Sequence, residues 1–517
     1  MLVNADDLEA SIIRTPVCIV GTGIGGTSLA LELAKANKDF YIIEAGGQSG
    51  NAKTVGIDNI GLPFGLSTTT SIELGGTSNL WHGVLSKLDP ADYKKRDWIN
   101  NSGWPIDGND LEPFYKQASD LFSILNYGYL DVDKLSDDLK AKLKEMPFNR
   151  DYLVNHMFQQ PLPPKRFKKT VKEIAENTPK QNCLFNAAAV ELLTDDTGKT
   201  VSKLIVRNRK NATIIVEAGM YILAAGALQT PRILLNSKST NPNGLGNDND
   251  LVGRYLLDHP MGNLLQLEFK KKRNAHIYSD MKYAPNNKIK TGLTFAEEVQ
   301  KKYRLPNHNF YIRPSFVKGI DNKSEKIKLA LLTFLDRDRG VTVKDAFQVI
   351  THLNVVRQIL AYKFSLNVTY KYADLFFVTE QIPNPESRVS LSDKKDPFGY
   401  PMAQVNWQIM QADMDSMTTS FRLLREHGFS ENDFTFVHQE SDLDWKNVFT
   451  SGAHHVGTTR MAATSREGVV DANLKVHGVN NLYVADGSVF PTSGHVNSGF
   501  TIAALALRLA AHVIPKV

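Results

Sequence analysis

Apolar and polar positions follow two rhythms along this chain, and the change of rhythm divides it. Pro16-Val17-Cys18-Ile19-Val20 is a short apolar run of strand length. Apolar residues then recur at helical spacing through Leu29, Leu31, Leu33 and Ala34, before a second apolar run, Phe40-Tyr41-Ile42-Ile43, that ends on Glu44. Gly21-Thr22-Gly23-Ile24-Gly25-Gly26 joins the first run to the helix. Strand, glycine turn, helix and strand within about 30 residues make a βαβ unit.

Further on, Gly46 to Thr70 is Gly- and Ser-rich with little periodicity and reads as a long loop. Asp89 to Ser123 reads as loop and helix anchored by Trp98 and Trp104, and Lys134 to Lys144 as a charged, solvated helix. Apolar runs at 182–186, 189–193, 203–206, 213–216 and 220–227 predict two antiparallel strands and a return into the main sheet. A helix follows, with Thr230 as its cap and Pro231 in its first turn. From about Asn263 to Ser451 alternating stretches such as Leu264 to Phe269 and Phe376 to Glu380 predict a separate sheet. Between them, Ser324 to Tyr372 is rich in helix formers, and a long helix, Thr501 to Val513, closes the chain. The expected fold class is α/β, α+β overall: a Rossmann-type dinucleotide-binding domain with a separate substrate domain on an antiparallel sheet.

Length supports two domains, since 517 residues exceed what one core usually serves. The formal charge of +5, from 60 basic and 55 acidic residues spread along the chain, gives no sign of a nucleic-acid partner. Cys18 and Cys183 make no disulfide framework or metal-ligand spacing, so no metal is expected. The first 14 residues lack the pattern of a signal peptide, and the longest apolar stretch, Thr501 to Ile514, is short for a span and carries Arg508. A cytoplasmic location is the expectation. The apolar and basic residues of 324–372 could cover the active site or dock weakly on a surface.

The glycine turn carries the first chemistry. Gly21 permits the tight turn, Gly23 lets the backbone approach a pyrophosphate, and Gly26 lets the helix pack close to the sheet. Amides at the helix start face the phosphates, and Glu44 stands where a ribose hydroxyl would lie. This unit serves FAD and NAD alike. A second glycine-rich stretch, Glu73 to Gly83, bears hydroxyls and is suited to close backbone contact with a ligand.

Six ordered motifs resemble the glucose–methanol–choline (GMC) oxidoreductases, with the pyranose oxidases and related sugar dehydrogenases as the nearest group. They are Val17 to Gly46, Gly75-Gly76-Thr77-Ser78, Gly226 to Leu234, Gly253 to Pro260, His454 to Met461, and Asn481 to Ser488 followed by Asn497 and Thr501. The segment Glu380 to Pro385 with Ser387 to Val389 is similar to the family's entry into the last substrate-domain strands. Little from Lys270 to Leu375 matches. The resemblance implies FAD, bound by Gly21, Gly23, Ile24, Gly26, Glu44, Ala45, Gly76, Thr77, Ser78, Asn79, Trp81, His82, Val190, Ala225, Gly226, Asp486, Gly487, Asn497 and Thr501. Relatives with covalent flavin carry histidine at the sixth position of the Gly75 loop. Here that position is Leu80, so FAD is expected to be non-covalent, with His82 the one nearby nucleophile.

The resemblance also places His454 over the flavin. An alcohol C–H leaves as hydride as the O–H proton is removed, and histidine can take that proton near neutral pH. His455 is the base instead if the register is off by one. Asn497 is the second active-site side chain, unless it caps the last helix and His495 is the partner. The expected FAD domain comprises 1–90, 165–262 and 452–517, and the substrate domain 91–164 and 263–451. The expected reaction oxidises an alcohol group, on a sugar, glycoside or polyol, to a carbonyl, with substrate identity and electron acceptor open. Two rivals are an NAD(P)-dependent oxidoreductase and a non-catalytic flavin-binding protein.

Overall fold

A computed structural model describes residues 1–49, 56–64, 69–177, 180–273, 276–279, 281–315, 318–319, 356, 360, 369–443 and 445–517. Among these residues the strands form three sheets. The first contains β1 (Leu2–Asn4), β2 (Ser11–Val20), β3 (Phe40–Ile43), β6 (Gln181–Phe185), β7 (Ala187–Thr194), β8 (Val201–Asn208), β9 (Thr213–Leu223) and β19 (Leu482–Val484). Its order is β1-β6-β3-β2-β9-β8-β7, with β19 on β9. The second sheet, antiparallel throughout, contains β5 (Leu153–Pro161), β10 (Pro260–Arg273), β11 (Met281–Ala284), β12 (Asn287–Phe295), β13 (His308–Ser315), β14 (Tyr370–Thr379), β17 (Phe434–Phe436) and β18 (Thr450–Ser451). A small third sheet joins β4 (Ile57–Asn59) to the hairpin of β15 (Arg388–Lys395) and β16 (Pro401–Asn406).

Strand β2 shows why the first sheet is parallel at its centre. From Ser11 to Pro16 its residues alternate between partly and fully exposed, but Val17 to Val20 are all buried. The latter pair in parallel with β3 and β9 and are buried on both faces of the sheet. Helix α1 (Ile24–Lys35) leads from β2 to β3. Helix α2 (Gly108–Leu121) and the C-terminal helix α4 (Gly499–Val513) pack together, with the Tyr115 and Phe500 rings 5.0 Å apart. Helix α3 (Thr230–Asn236) follows β9. Over Gly499–Lys516 the chain is apolar enough for a membrane span, but 61% of that window is buried inside the protein, as in a core helix.

Several expectations need correction. The stretch after Ala91 was expected in the substrate domain, yet Tyr93, Trp104, Leu111, Tyr115 and Phe122 share the core cluster of the first sheet with Phe500 and Leu505. A buried hydrogen bond from Trp104 Nε1 to Thr492 Oγ1, 2.9 Å, fixes it there. The loop expected from Gly46 to Thr70 contains β4, which pairs in parallel with β16. The charged stretch from Lys134 is helical over Asp137–Lys144, but Leu139 and Leu143, four apart on one face, are buried. Thr230 is not a cap: Gln229 holds that position, and the Thr230 hydroxyl donates to Asp486. Apart from Val356, Leu360 and 369–372, the helical expectation for 324–372 lies outside the described residues.

Candidate active site

A cavity of about 1700 Å³ opens at the carboxyl ends of β2, β3 and β9 and is closed on its far side by β10, β12, β13 and β14. That exceeds the roughly 300–1,000 Å³ of an ordinary small-ligand pocket. The carboxyl edge of a parallel sheet is where such folds bind ligands. Gly21 has φ of +107°, and a Cβ there would stand 2.4 Å from the Ala224 carbonyl oxygen. A Cβ at Gly26 would stand 2.1 Å from the Gly21 oxygen, so α1 sits directly on the turn. In contrast, a Cβ at Gly23 or Gly226 would meet nothing within 4 Å. At those two positions bare backbone faces the cavity.

Glu44 follows β3 and lines the cavity, buried. Its carboxylate accepts from Thr22 N at 3.1 Å, from the Thr22 hydroxyl and from Gly46 N at 2.8 Å. Burial pushes its pKa up, and these donors oppose the shift. Asp486, after β19, accepts from Gly226 N at 2.9 Å, Thr230 Oγ1 at 2.6 Å and Ser488 N at 2.8 Å. It thereby clamps the Gly226 turn against the C-terminal segment. The stretch Gly76 to His82 is held by Arg166, which donates to the Ser78 oxygen at 2.5 Å and the Trp81 oxygen at 2.7 Å.

His454 and His455 line the same cavity. Residues 257–260 and 451–456 run antiparallel, with Leu257 opposite Val456 and Pro260 opposite Ser451. This ladder brings Asp258 and His259 beside His454. Asp258, fully buried, accepts from the backbone N–H of His454 at 2.8 Å and from the Ser451 hydroxyl. His454 Nδ1 is 2.8 Å from His259 Nδ1, and its Nε2 is 2.7 Å from Asn497 Nδ2. Burial, reinforced by His259, lowers the His454 pKa to about 3. His455 lines the cavity too, but its ring stands edge-on to Phe64 at 4.9 Å and its Nε2 is 3.8 Å from Asp258.

Of the residues picked from sequence, Gly21, Gly23, Ile24, Glu44, Ala45, Gly76, Thr77, Ser78, Trp81, His82, Ala225, Gly226, Asp486, Gly487, Asn497, His454 and His455 line this one cavity. Others do not. Val190 points to the opposite face of β7, against Ala188 and Phe398, while Ala187 and Ala189 face the cavity. Asn79 donates to the Leu74 oxygen, Gly26 packs on the turn, and Thr501 bonds the Tyr115 hydroxyl at 2.7 Å. His495 is 1% exposed and its Nε2 is 3.0 Å from Asp89, in a cluster with His156. It therefore does not share the cavity with Asn497. Asn497 does not cap α4, since Ser498 holds that position.

Sequence reasoning missed Gln229 and the pairing of Asp258 and His259 with His454. Gln229 lines the cavity, and neither polar atom of its buried amide has a partner among the described residues. Its place in a glycine-bounded motif was the available signal; His259 stood in another, but nothing local marks its contact.

Two family models described as GMC oxidoreductase match residues 167–261 and 383–506, and one described as an NAD(P)-binding Rossmann-like domain matches 19–85. The chain belongs to the GMC oxidoreductases. It is an enzyme, an oxidoreductase whose relatives are named as oxidases and dehydrogenases of alcohols and sugars. It is 22% identical to 2-methyl-1,2-propanediol dehydrogenase of Mycolicibacterium austroafricanum, over 98% of this chain and 96% of that protein. It is 26% identical to the fructose dehydrogenase large subunit of Gluconobacter japonicus, over 57% of this chain and 47% of that protein. Pyridoxine 4-oxidase from Mesorbium loti shares the fold, with a TM-score of 0.58 at 15% identity, covering 96% of this chain and 99% of that one.

Membership implies FAD. The residues present fit it: bare backbone at Gly23 and Gly226, the Gln229 amide with no partner among the described residues, and room for a dinucleotide in a cavity that both Glu44 and His454 line.

Proposed function

We propose that this protein oxidises an alcohol group of a ring sugar, glycoside or polyol to a carbonyl, with His454 as the base and FAD held without a covalent bond. One observation carries the reading: His454 Nε2 and Asn497 Nδ2 meet at 2.7 Å on the wall of the cavity that the dinucleotide turn opens into. Bound FAD supplies the acceptor for the hydride. His454 takes the hydroxyl proton, so the oxygen gains electron density as the C–H bond breaks. Asn497 holds that oxygen and sets the direction of the C–H bond. Asn263, Tyr311 and Phe376 line the opposite wall, and such a mix of polar and aromatic groups suits a hydroxyl-rich ring. Anaerobic mixing of the flavin-loaded protein with a panel of sugars and alcohols tests the reading through loss of the yellow colour.

The mode of flavin attachment is tested separately. Leu80 carries no nucleophile, and His82 is exposed at the cavity edge. Acid or heat should therefore release all the flavin and leave a colourless polypeptide. Colour that stays with the denatured chain would contradict this and point to His82.

A further inference from the structure

His454 presents its Nδ1 to another imidazole rather than to a carboxylate or solvent. His259 Nδ1 lies 2.8 Å away, the two rings crossing at 75°. Two imidazole nitrogens at this distance share one proton, so one donates and the other accepts. The neighbouring groups decide which. His259 Nε2 faces the carbonyl oxygen of Ser493 at 3.3 Å, and a carbonyl oxygen can only accept. The proton of His259 therefore sits on Nε2. Full burial of this ring disfavours a second proton, which leaves its Nδ1 as a bare lone pair. His454 must then donate from Nδ1. Its own lone pair is left on Nε2, towards the cavity, where the Asn497 amide donates to it at 2.7 Å. The three contacts are mutually consistent in this sense.

We infer that His259 is a positioning residue: it locks His454 in the Nδ1–H tautomer, so that the basic lone pair stands on Nε2, on the cavity side, held by the Asn497 amide until a substrate hydroxyl takes that place. The inference rests on the reading of His454 as the base. In turnover the hydroxyl proton passes to His454 Nε2 and the hydride from the same carbon to the flavin. The Nδ1–H bond to His259 stays in place and strengthens as His454 becomes an imidazolium. The proton goes no further along this pair, because His259 Nε2 ends on a backbone carbonyl. Asp258, bonded to the backbone N–H groups of His454 and His259, supplies the negative charge beside the cation. A neutral acceptor fixes the tautomer without placing a second charge against the base.

The direct test is 15N-histidine NMR of the flavin-loaded protein near neutral pH, with the His454 signals assigned by their loss in His454→Gln. The expected result is a protonated Nδ1 and an unprotonated Nε2; a proton on Nε2 overturns the inference. This readout involves no turnover, so it fails independently of the base assignment, which falls if His454→Ala reduces flavin at the parent rate. A kinetic arm compares His259→Leu with His259→Asn, each corrected for bound flavin. Asparagine can offer an oxygen near the place of Nδ1, and leucine cannot. His259→Leu should lose about ten-fold or more in the limiting rate of flavin reduction with substrate affinity little changed, the scale of one lost hydrogen bond in a buried site. His259→Asn should recover most of it. Equal rates in the two variants would assign His259 a packing role only.

Discussion

Flavin reduction in a His454→Ala variant should be about 10²–10⁴-fold slower than in the parent, while the purified protein stays yellow. The rate falls because the proton of the hydroxyl loses the base that stands beside Asn497. His455 is turned against Phe64 and towards Asp258, and His495 is buried with Asp89. Colour is retained because none of the dinucleotide turn, Glu44 and Asp486 bonds to the His454 side chain, so their contacts survive its removal. Asn497→Ala should cost less, since an orienting bond to a neutral group is worth less than a base. The pH dependence follows from the lowered pKa of His454, about 3. A base acts in its neutral form, and a lowered pKa keeps it neutral to lower pH. Flavin reduction in the parent should therefore hold as pH falls through about 6.5, the range in which an unperturbed histidine would take up its proton. A parent-like rate in His454→Ala together with a slow His455→Ala would move the base by one residue.

Gly25→Ala should give a protein that is destabilised by about 1–3 kcal/mol or more and purifies without flavin. A Cβ at Gly25 would stand 1.7 Å from the Ala485 carbonyl oxygen and 2.9 Å from its carbonyl carbon. Both are backbone atoms. Ala485 is itself fixed by donating to the Leu223 oxygen at 2.7 Å, so neither side can yield without shifting β19 or α1. Moving the start of α1 displaces the amides that face the phosphates. Gly23→Ala is the informative contrast, because its Cβ would meet no protein atom within 4 Å. That variant should keep the melting temperature of the flavin-free parent but bind FAD more weakly. Thermal melts with and without added FAD separate the two effects. A Gly25→Ala protein with parent stability and full colour would show that the close packing carries no weight.

What the sequence makes legible follows from the range of each interaction. The βαβ unit is readable because its constraints are local: a turn with positive φ at Gly21, a helix seated on it at Gly26, and an acid at the end of the next strand. Gly25 belongs to the same motif, but its constraint comes from Ala485, some 460 residues later, so its spacing says nothing of it. Three-residue strand β4 pairs with β16, more than 340 residues later, and is too short to show a period. Val190 was misplaced for a different reason. β7 is a strand with alternating faces, and a one-residue choice between Ala189 and Val190 reverses which side faces the cavity. Asn497 and His495 sit two apart in one segment, yet one meets His454 and the other Asp89. The segment from Ala91 is expected in the substrate domain, and what places Trp104 and Tyr115 in the first core is contact with Thr492, Phe500 and Thr501, nearly 400 residues away in the chain.

Anaerobic stopped-flow mixing of the flavin-loaded protein with sugars, polyols and simple alcohols tests the central claim most directly. Oxygen and other reoxidants are excluded, so the only event that can bleach the flavin is hydride transfer from the substrate. The account predicts that at least one hydroxyl-bearing compound removes the flavin absorbance at a rate that saturates with its concentration, and that the matching carbonyl product appears in equal amount. Flavin that keeps its colour with every alcohol in the panel, but is bleached by a reduced nicotinamide, would contradict it.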